Sequence, residues 1–201
     1  MNTIITIGRE FGSGGRELGR RLAEELKIAY YDSEIVSEIS KRTQLSENYV
    51  KQILEKQPVP LMPITIGHSF YHVPHPLLES NRAIYNEQTK LINELSEKSD
   101  CVLVGRCADY IVRDKHPFRI FVYADMESKL RRCREKGDEA EGLSDKELIR
   151  KIKNIDKDRA QYYEFFTGRD WHDKLNYDLC INTTNTVIKD IVPILARMFR
   201  A

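Results

Sequence analysis

The chain has 201 residues, 41% of them hydrophobic and 31% charged, with a formal net charge of +1. That balance describes a globular protein with a substantial core and excludes a disordered chain. A net charge so near zero also excludes nucleic-acid binding through a broad basic face, which needs an excess of Lys and Arg; a small local arginine cluster stays open.

The chain starts directly on a strand pattern, with no basic n-region, apolar h-region or cleavage site, and nothing in it suggests export. No run approaches the roughly 18 apolar residues a membrane helix needs. The four cysteines (Cys101, Cys107, Cys133, Cys180) form no CxxC pair and no zinc-like spacing, so they read as free thiols in a reducing cytoplasm.

In chain order, "TIITIG" (3–8) is apolar and β-branched and predicts the first strand. The glycine-rich stretch "GREFGSGGRE" (8–17) follows, and Leu18, Leu22 and Leu26 then recur every four residues as in a helix. "IAYYD" (28–32) predicts a second strand, and 33–56 carries two polar helical stretches, the second capped by Ser46. Residues 57–77 hold five prolines in twenty-one positions and read as an irregular excursion, and helical periodicity resumes from about 78 to 98. "CVLVG" (101–105), "FRIFVYA" (118–124) and "DLCIN" (178–182) are continuous apolar runs of the kind buried on both faces of a parallel sheet. Between the last two lie a basic helix, an acidic turn and a long helix opened by the capping box Ser144-x-x-Glu147. "TVIKDIVPILARMF", with Pro193 inside it, closes the chain as a helix. Five strands separated by helices predict a three-layer α/β fold with a five-stranded parallel sheet and crossovers on both faces.

Strand, glycine loop, helix is the order that builds a phosphate cradle. Glycines 12, 14 and 15 let backbone N–H groups turn toward one oxyanion, and the helix that follows adds its positive end. The same glycines also suit a tight turn with no ligand. The usual cradle reads GxxxxGKS/T, whose lysine reaches the β/γ-phosphates and whose hydroxyl holds magnesium. Here Gly15, Arg16 and Glu17 follow instead.

The ordered set "GREFGSGGRELGRRLAEEL", "YYD", "CVLVGRCADYIV", "FRIFVYADMESKLRRC", "IDKDRAQYY" and "YDLCINTT" resembles the cytidylate-kinase-like branch of the P-loop nucleoside monophosphate kinases. The resemblance covers nearly the whole chain apart from the proline-rich segment. It implies one P-loop kinase domain over 1–201, with an acceptor-site insertion at about 33–98 and an arginine-bearing helical lid at about 131–165. It also implies ATP and Mg2+ at the glycine loop and a pyrimidine nucleoside monophosphate (CMP or dCMP) beside it. The family's loop is similar to GPSGSGKST. This chain matches at Gly12-Ser13-Gly14, puts Gly15 where the lysine would stand, and has one extra residue between Gly8 and Gly14. The result is an atypical Walker A loop without its lysine.

Gly8, Arg9, Gly12, Ser13, Gly14, Gly15, Arg16 and Glu17 are therefore the candidate ATP-binding residues, with Ser13 the nearest hydroxyl. Arginine's planar fork suits phosphate, so Arg16, or Arg9 folding back from the other arm, is the candidate substitute for lysine. Asp32 ends the second strand at the carboxyl edge where open α/β sheets bind ligands, and reads either as an acceptor contact or as an N-cap of the next helix. Arg106 and Asp109, in "GRCAD", take the place of the family's acceptor-binding GRD, with the Asp displaced by two residues. Arg82 is a candidate reader of the acceptor base. Arg131 and Arg159 match lid positions that clamp the transferring phosphate, whereas Arg132 and Arg134 read as solvent-facing. Cys107 reads as a small buried thiol, and Trp171 as an anchor for the return from lid to strand. His68, His72 and His75 lack a metal-binding pattern, so no metal-ligating residue is assigned. With Phe70 and Tyr71 they suit an acceptor flap or a subunit contact, and "VPLMPITI" suggests a homodimer contact. The alternative to a cytoplasmic phosphotransferase is a non-catalytic nucleotide-binding or regulatory module on the same fold.

Overall fold

Alternating apolar side chains on five short strands form one parallel sheet. A computed structural model of the chain describes residues 2–55, 76–136 and 140–200. The strands are β1 (Ile4–Arg9), β2 (Ala29–Tyr31), β3 (Cys101–Val104), β4 (Phe118–Tyr123) and β5 (Leu179–Asn182), in the spatial order β2-β3-β1-β4-β5. Every neighbouring pair is parallel, with Ile5 opposite Val102 on one side and Phe118 on the other. The helices are α1 (Gly15–Leu26), α2 (Glu34–Thr43), α3 (Glu47–Glu55), α4 (Pro76–Lys98), α5 (Ala108–Ile111), α6 (Met126–Lys136), α7 (Asp145–Thr167) and α8 (Ile188–Ala196).

Successive strand residues point to opposite faces, and the core divides accordingly. Ile5, Ile7, Val102, Val104, Ile120 and Val122 pack against Leu18 and Leu22 of α1 and Ile188 and Val192 of α8. Ile4, Cys101, Leu103 and Phe121 face the opposite layer, with Ile35 and Ile39 of α2, Ile84 and Ile92 of α4, and Tyr162 and Tyr163 of α7. A third, smaller cluster joins Leu148 and Ile152 of α7 to Leu130 of α6 and Phe11 of the loop after β1. This is a three-layer α/β fold, a five-stranded parallel sheet with helices on both faces.

Two elements differ from the sequence expectation. Helix α4 begins at Pro76, inside the stretch read as irregular; proline is tolerated in the first helical turn, where its missing N–H has no partner to lose. The four-residue α5 follows β3 directly, with Cys107 at its N-cap in the left-handed region at φ 53°. Ser144 and Glu147 form the expected capping box, and Ser46 Oγ accepts from Tyr49 N at 3.3 Å. Among the described residues no helix is long and apolar enough to cross a membrane. The histidines 68, 72 and 75 and the apolar stretch 59–66 lie outside the described residues.

Candidate active site

Parallel strands bring the chain segments after β1, β2, β3 and β4 to one carboxyl edge. Because β1 lies between β3 and β4, the order reverses beside it, and such a switch point opens a crevice. The loop after β1 lies there. Gly12 and Gly14 take φ of 74° and 84°, and Gly14 serves as N-cap of α1 with no side-chain cap. Helix geometry leaves the first-turn N–H groups of Gly15, Arg16 and Glu17 without intrahelical acceptors. These groups and the helix dipole make an anion cradle.

The loop side chains diverge from one another. Ser13 is fully buried, and its hydroxyl donates to Glu10 O at 2.8 Å, while its own carbonyl accepts from Thr183 Oγ1 at 2.6 Å. Glu17 lies on the flank of α1, bridged to Arg21 at 2.8 Å and to Lys136 of α6. Neither group is placed to ligate magnesium, and the described residues hold no cluster of three His, Cys, Asp or Glu able to bind a metal ion. Among the described residues, the side chains of the loop therefore do not fit a directly held Mg2+.

Arg16 turns from the cradle toward β2. Its Nε stands 2.6 Å from Asp32 Oδ2, and its side chain is 65% exposed. Asp32 is almost fully buried and also lies 3.5 Å from Arg9 Nη2, so it binds two guanidiniums. Capping of α2 falls to Ser33, which makes no side-chain cap bond. Arg9 leaves the end of β1 and runs across the edge: an ideal Cβ on Gly15 would overlap its Cβ and stand 3.0 Å from its Cγ. An ideal Cβ on Gly105 would overlap its Nη1 and stand 2.8 Å from its Cζ. Burial, reinforced by Arg159, Arg106 and Arg16 and opposed by Asp32, lowers the Arg9 pKa to about 9.

The acceptor-side candidates meet the same edge. A small cavity beside the loop is lined by Arg9, Gly105, Arg106, Asp109, Arg159 and Trp171, among others. Arg106 adopts a left-handed φ of 60°, and its carbonyl accepts from Gln88 Nε2 at 2.9 Å. Asp109 accepts from Tyr163 O–H at 2.6 Å, and burial pushes its carboxyl up. Arg82 is exposed on α4. Cys107 is buried and its thiol is pushed up by burial, and Trp171 packs edge-on against Phe121 at 5.2 Å.

Helix α7 grips the loop from above. Arg159 Nη1 donates to Arg9 O at 3.2 Å, and its guanidinium lies 5.7 Å from the Phe11 ring centroid. Asp156 accepts from Phe11 N at 2.6 Å. Arg131 is instead exposed on α6, reaching Ser128 Oγ at 3.5 Å. The structure therefore brings Arg9, Arg16, Asp32, Arg106, Asp109 and Arg159 together, and leaves Arg82, Arg131 and Glu17 apart from them.

Two buried cations were missed by reading the sequence. Lys129 of α6 holds Glu10 of the loop at 2.8 Å and Asp156 of α7 at 3.0 Å, with its side chain only 7% exposed. Arg132, expected to face solvent, is buried and donates to Thr183 O and, at 3.2 Å, to Thr186 O. Both sit in "ESKLRRC", whose charge density resembles any solvated helix face. No spacing in it marks which cations turn inward.

The family model that describes the cytidylate kinase-like family matches residues 4–185. The chain belongs to that family. No curated protein matches it. Among solved structures, an uncharacterized protein from Eubacterium ventriosum is similar at 26% identity and a TM-score of 0.71, covering 100% of this chain and 99% of its own. Shikimate kinase from Bacteroides thetaiotaomicron aligns at 16% identity and a TM-score of 0.60, with both chains fully covered. Shikimate kinase from Acinetobacter baumannii, solved with shikimate, aligns at 18% identity and 0.54, covering 100% and 93%. At those identities the shikimate kinases share the fold alone. Family and fold together support a nucleotide-dependent phosphotransferase.

Proposed function

We propose that this member of the cytidylate kinase-like family transfers the γ-phosphoryl group of ATP to a pyrimidine nucleoside monophosphate, CMP or dCMP. The observation that carries the reading is the convergence of Arg9, Arg16, Arg106 and Arg159 on the carboxyl edge beside a glycine cradle. Phosphoryl transfer asks the protein for charge neutralisation and in-line positioning, not for covalent chemistry. ATP would supply the phosphoryl group, and Mg2+ bound with it would neutralise developing phosphate charge; among the described residues Ser13 and Glu17 are turned to other partners. An oxygen of the acceptor phosphate bonds to the γ-phosphorus as the β–γ bridging oxygen departs, giving ADP and the nucleoside diphosphate.

The first-turn N–H groups of α1 receive the donor phosphates. Arg106, at the end of β3, faces the acceptor phosphate, and Arg159 joins loop to acceptor edge. Asp32 orients Arg16 and Arg9 through two ion pairs. Arg82, Arg131 and Glu17 enter the site only if the helices carrying them move on binding. The internally bonded Ser13 hydroxyl and the paired Glu17 carboxylate favour a second reading, a nucleotide-binding regulatory module without turnover. ADP formation from ATP and Mg2+ across a panel of nucleoside and deoxynucleoside monophosphates separates the two. Stimulation by CMP or dCMP above a no-acceptor blank supports transfer, and a flat panel with ATP still bound supports the module.

A further inference from the structure

We propose that Arg9 is the cation that replaces the missing loop lysine, and that it acts on the transferred phosphoryl group across two glycine slots. The proposal deepens the phosphotransfer reading and rests on it for its catalytic part.

Sterics carry the first half. A lysine at position 15 would start from a Cβ that overlaps the Cβ of Arg9 and stands 3.2 Å from Val122 Cβ. Arg9 and a residue-15 side chain therefore exclude each other. The absence of a side chain at Gly15 is the space that the Arg9 stem fills. Further along, the guanidinium lies against the Gly105 backbone so closely that any Cβ there would collide with it. Gly105 also holds φ at 70°, a conformation other residues adopt at a cost. Arg9 thus passes over both glycines, from the donor loop to the end of β3.

Charge carries the second half. Among the described residues Asp32 is the carboxylate within ion-pair reach of Arg9, at 3.5 Å, and Arg16 holds the same carboxyl more closely at 2.6 Å. Arg106 and Arg159 stand close enough to depress the Arg9 charge. A guanidinium only 12% exposed among like charges is poorly compensated until an anion arrives, and a phosphoryl group supplies three acceptor oxygens. The rival cations are placed differently. Arg16 is largely in solvent, Lys136 is tied to Glu17, and Lys129 is enclosed by Glu10 and Asp156.

The test uses the full chain and four variants: Arg9→Met, which keeps the stem and removes the charge, Arg9→Gly, Arg9→Gly/Gly15→Lys, and Arg16→Met. Thermal melting confirms that each folds. Calorimetry compares ADP with the non-hydrolysable triphosphate AMP-PNP, and turnover is measured with the best acceptor. Removing one preorganised charge from a transferring group costs about 100- to 1000-fold in kcat. Arg9→Met should fall by that much with little change in KM for ATP, and should lose the preference for AMP-PNP over ADP. Arg16→Met should fall less. The double variant, whose lysine enters the vacated slot, should regain at least about tenfold over Arg9→Gly. The proposal is overturned if Arg9→Met keeps turnover and triphosphate preference within about threefold of the parent, or if Arg16→Met is the variant that abolishes both. If the parent turns over no acceptor but still prefers AMP-PNP through Arg9, phosphotransfer fails while the assignment of Arg9 as triphosphate cation stands. If the parent binds both nucleotides equally, the assignment fails by itself.

Discussion

Replacing Lys129 by methionine isolates the link between the loop and the two helices above it. The ammonium lies between the carboxyls of Glu10 and Asp156, which are 17% and 13% exposed. Removing one partner from a buried ionic group costs about 3–5 kcal/mol, because the remaining charges stay desolvated. Two features reduce the cost: Asp156 keeps the Phe11 N–H, and its carboxyl can take a proton. Burial already holds that carboxyl above its ordinary value against the opposing pull of Phe11, Lys129 and Arg159. Without Lys129 it rises further, and a carboxyl whose folded pKa is raised adds stability below its unfolded pKa that is lost as pH climbs through the folded one. Lys129→Met should therefore cost about 3 kcal/mol at pH 8 and measurably less at pH 5. For a chain of this length the loss at pH 8 lowers Tm by about 6–12 °C. Urea titrations of both proteins at the two pH values measure it. A loss below about 0.5 kcal/mol at pH 8, or one independent of pH, would show that the ammonium is not enclosed as described.

Three further outcomes follow from named contacts. Nucleotide binding at pH 9 should take up protons, because an anion beside Arg9 raises a guanidinium pKa that burial first, and then Arg159, Arg106 and Arg16, hold near 9 against Asp32; calorimetry in buffers of different ionisation enthalpy reads the uptake, which should vanish at pH 7 and in Arg9→Met. Trp171→Ala empties the site beside Phe121 and should cost about 3–5 kcal/mol in urea titrations. Ser144→Ala removes the hydroxyl arm of the α7 capping box and should lower Tm by about 2–4 °C, with little effect on nucleotide affinity.

Local chemistry made most of the elements readable. Runs rich in β-branched and aromatic residues give buried parallel strands, and "CVLVG" and "FRIFVYA" form β3 and β4 within a residue of their expected ends. Leu18 and Leu22 repeat at helical spacing, and both are fully buried against the sheet. The capping box places the start of α7 because its two hydrogen bonds are made between neighbours in sequence. Pro76 went unrecognised as a helix start because a proline cluster is ambiguous between an excursion and a first helical turn.

The site was readable as a set of residue types and only partly as an arrangement. By itself the sequence determined the glycine loop, the order of strands and helices, and the arginines that are candidates for the place of the absent lysine. Which of them reaches the crevice was a tertiary matter. Arg9 and Arg16 are equivalent as letters, yet Arg9 passes over Gly15 and Gly105 into the crevice while Arg16 leans into solvent beside Asp32. Only the fold also decided that Lys129 and Arg132 turn inward from a helix whose sequence is charged nearly all round. The physical reason is range: propensity and periodicity act over a few residues, whereas the partners that draw those cations inward, Glu10, Asp156 and the carbonyl of Thr183, lie 27 to 119 positions away.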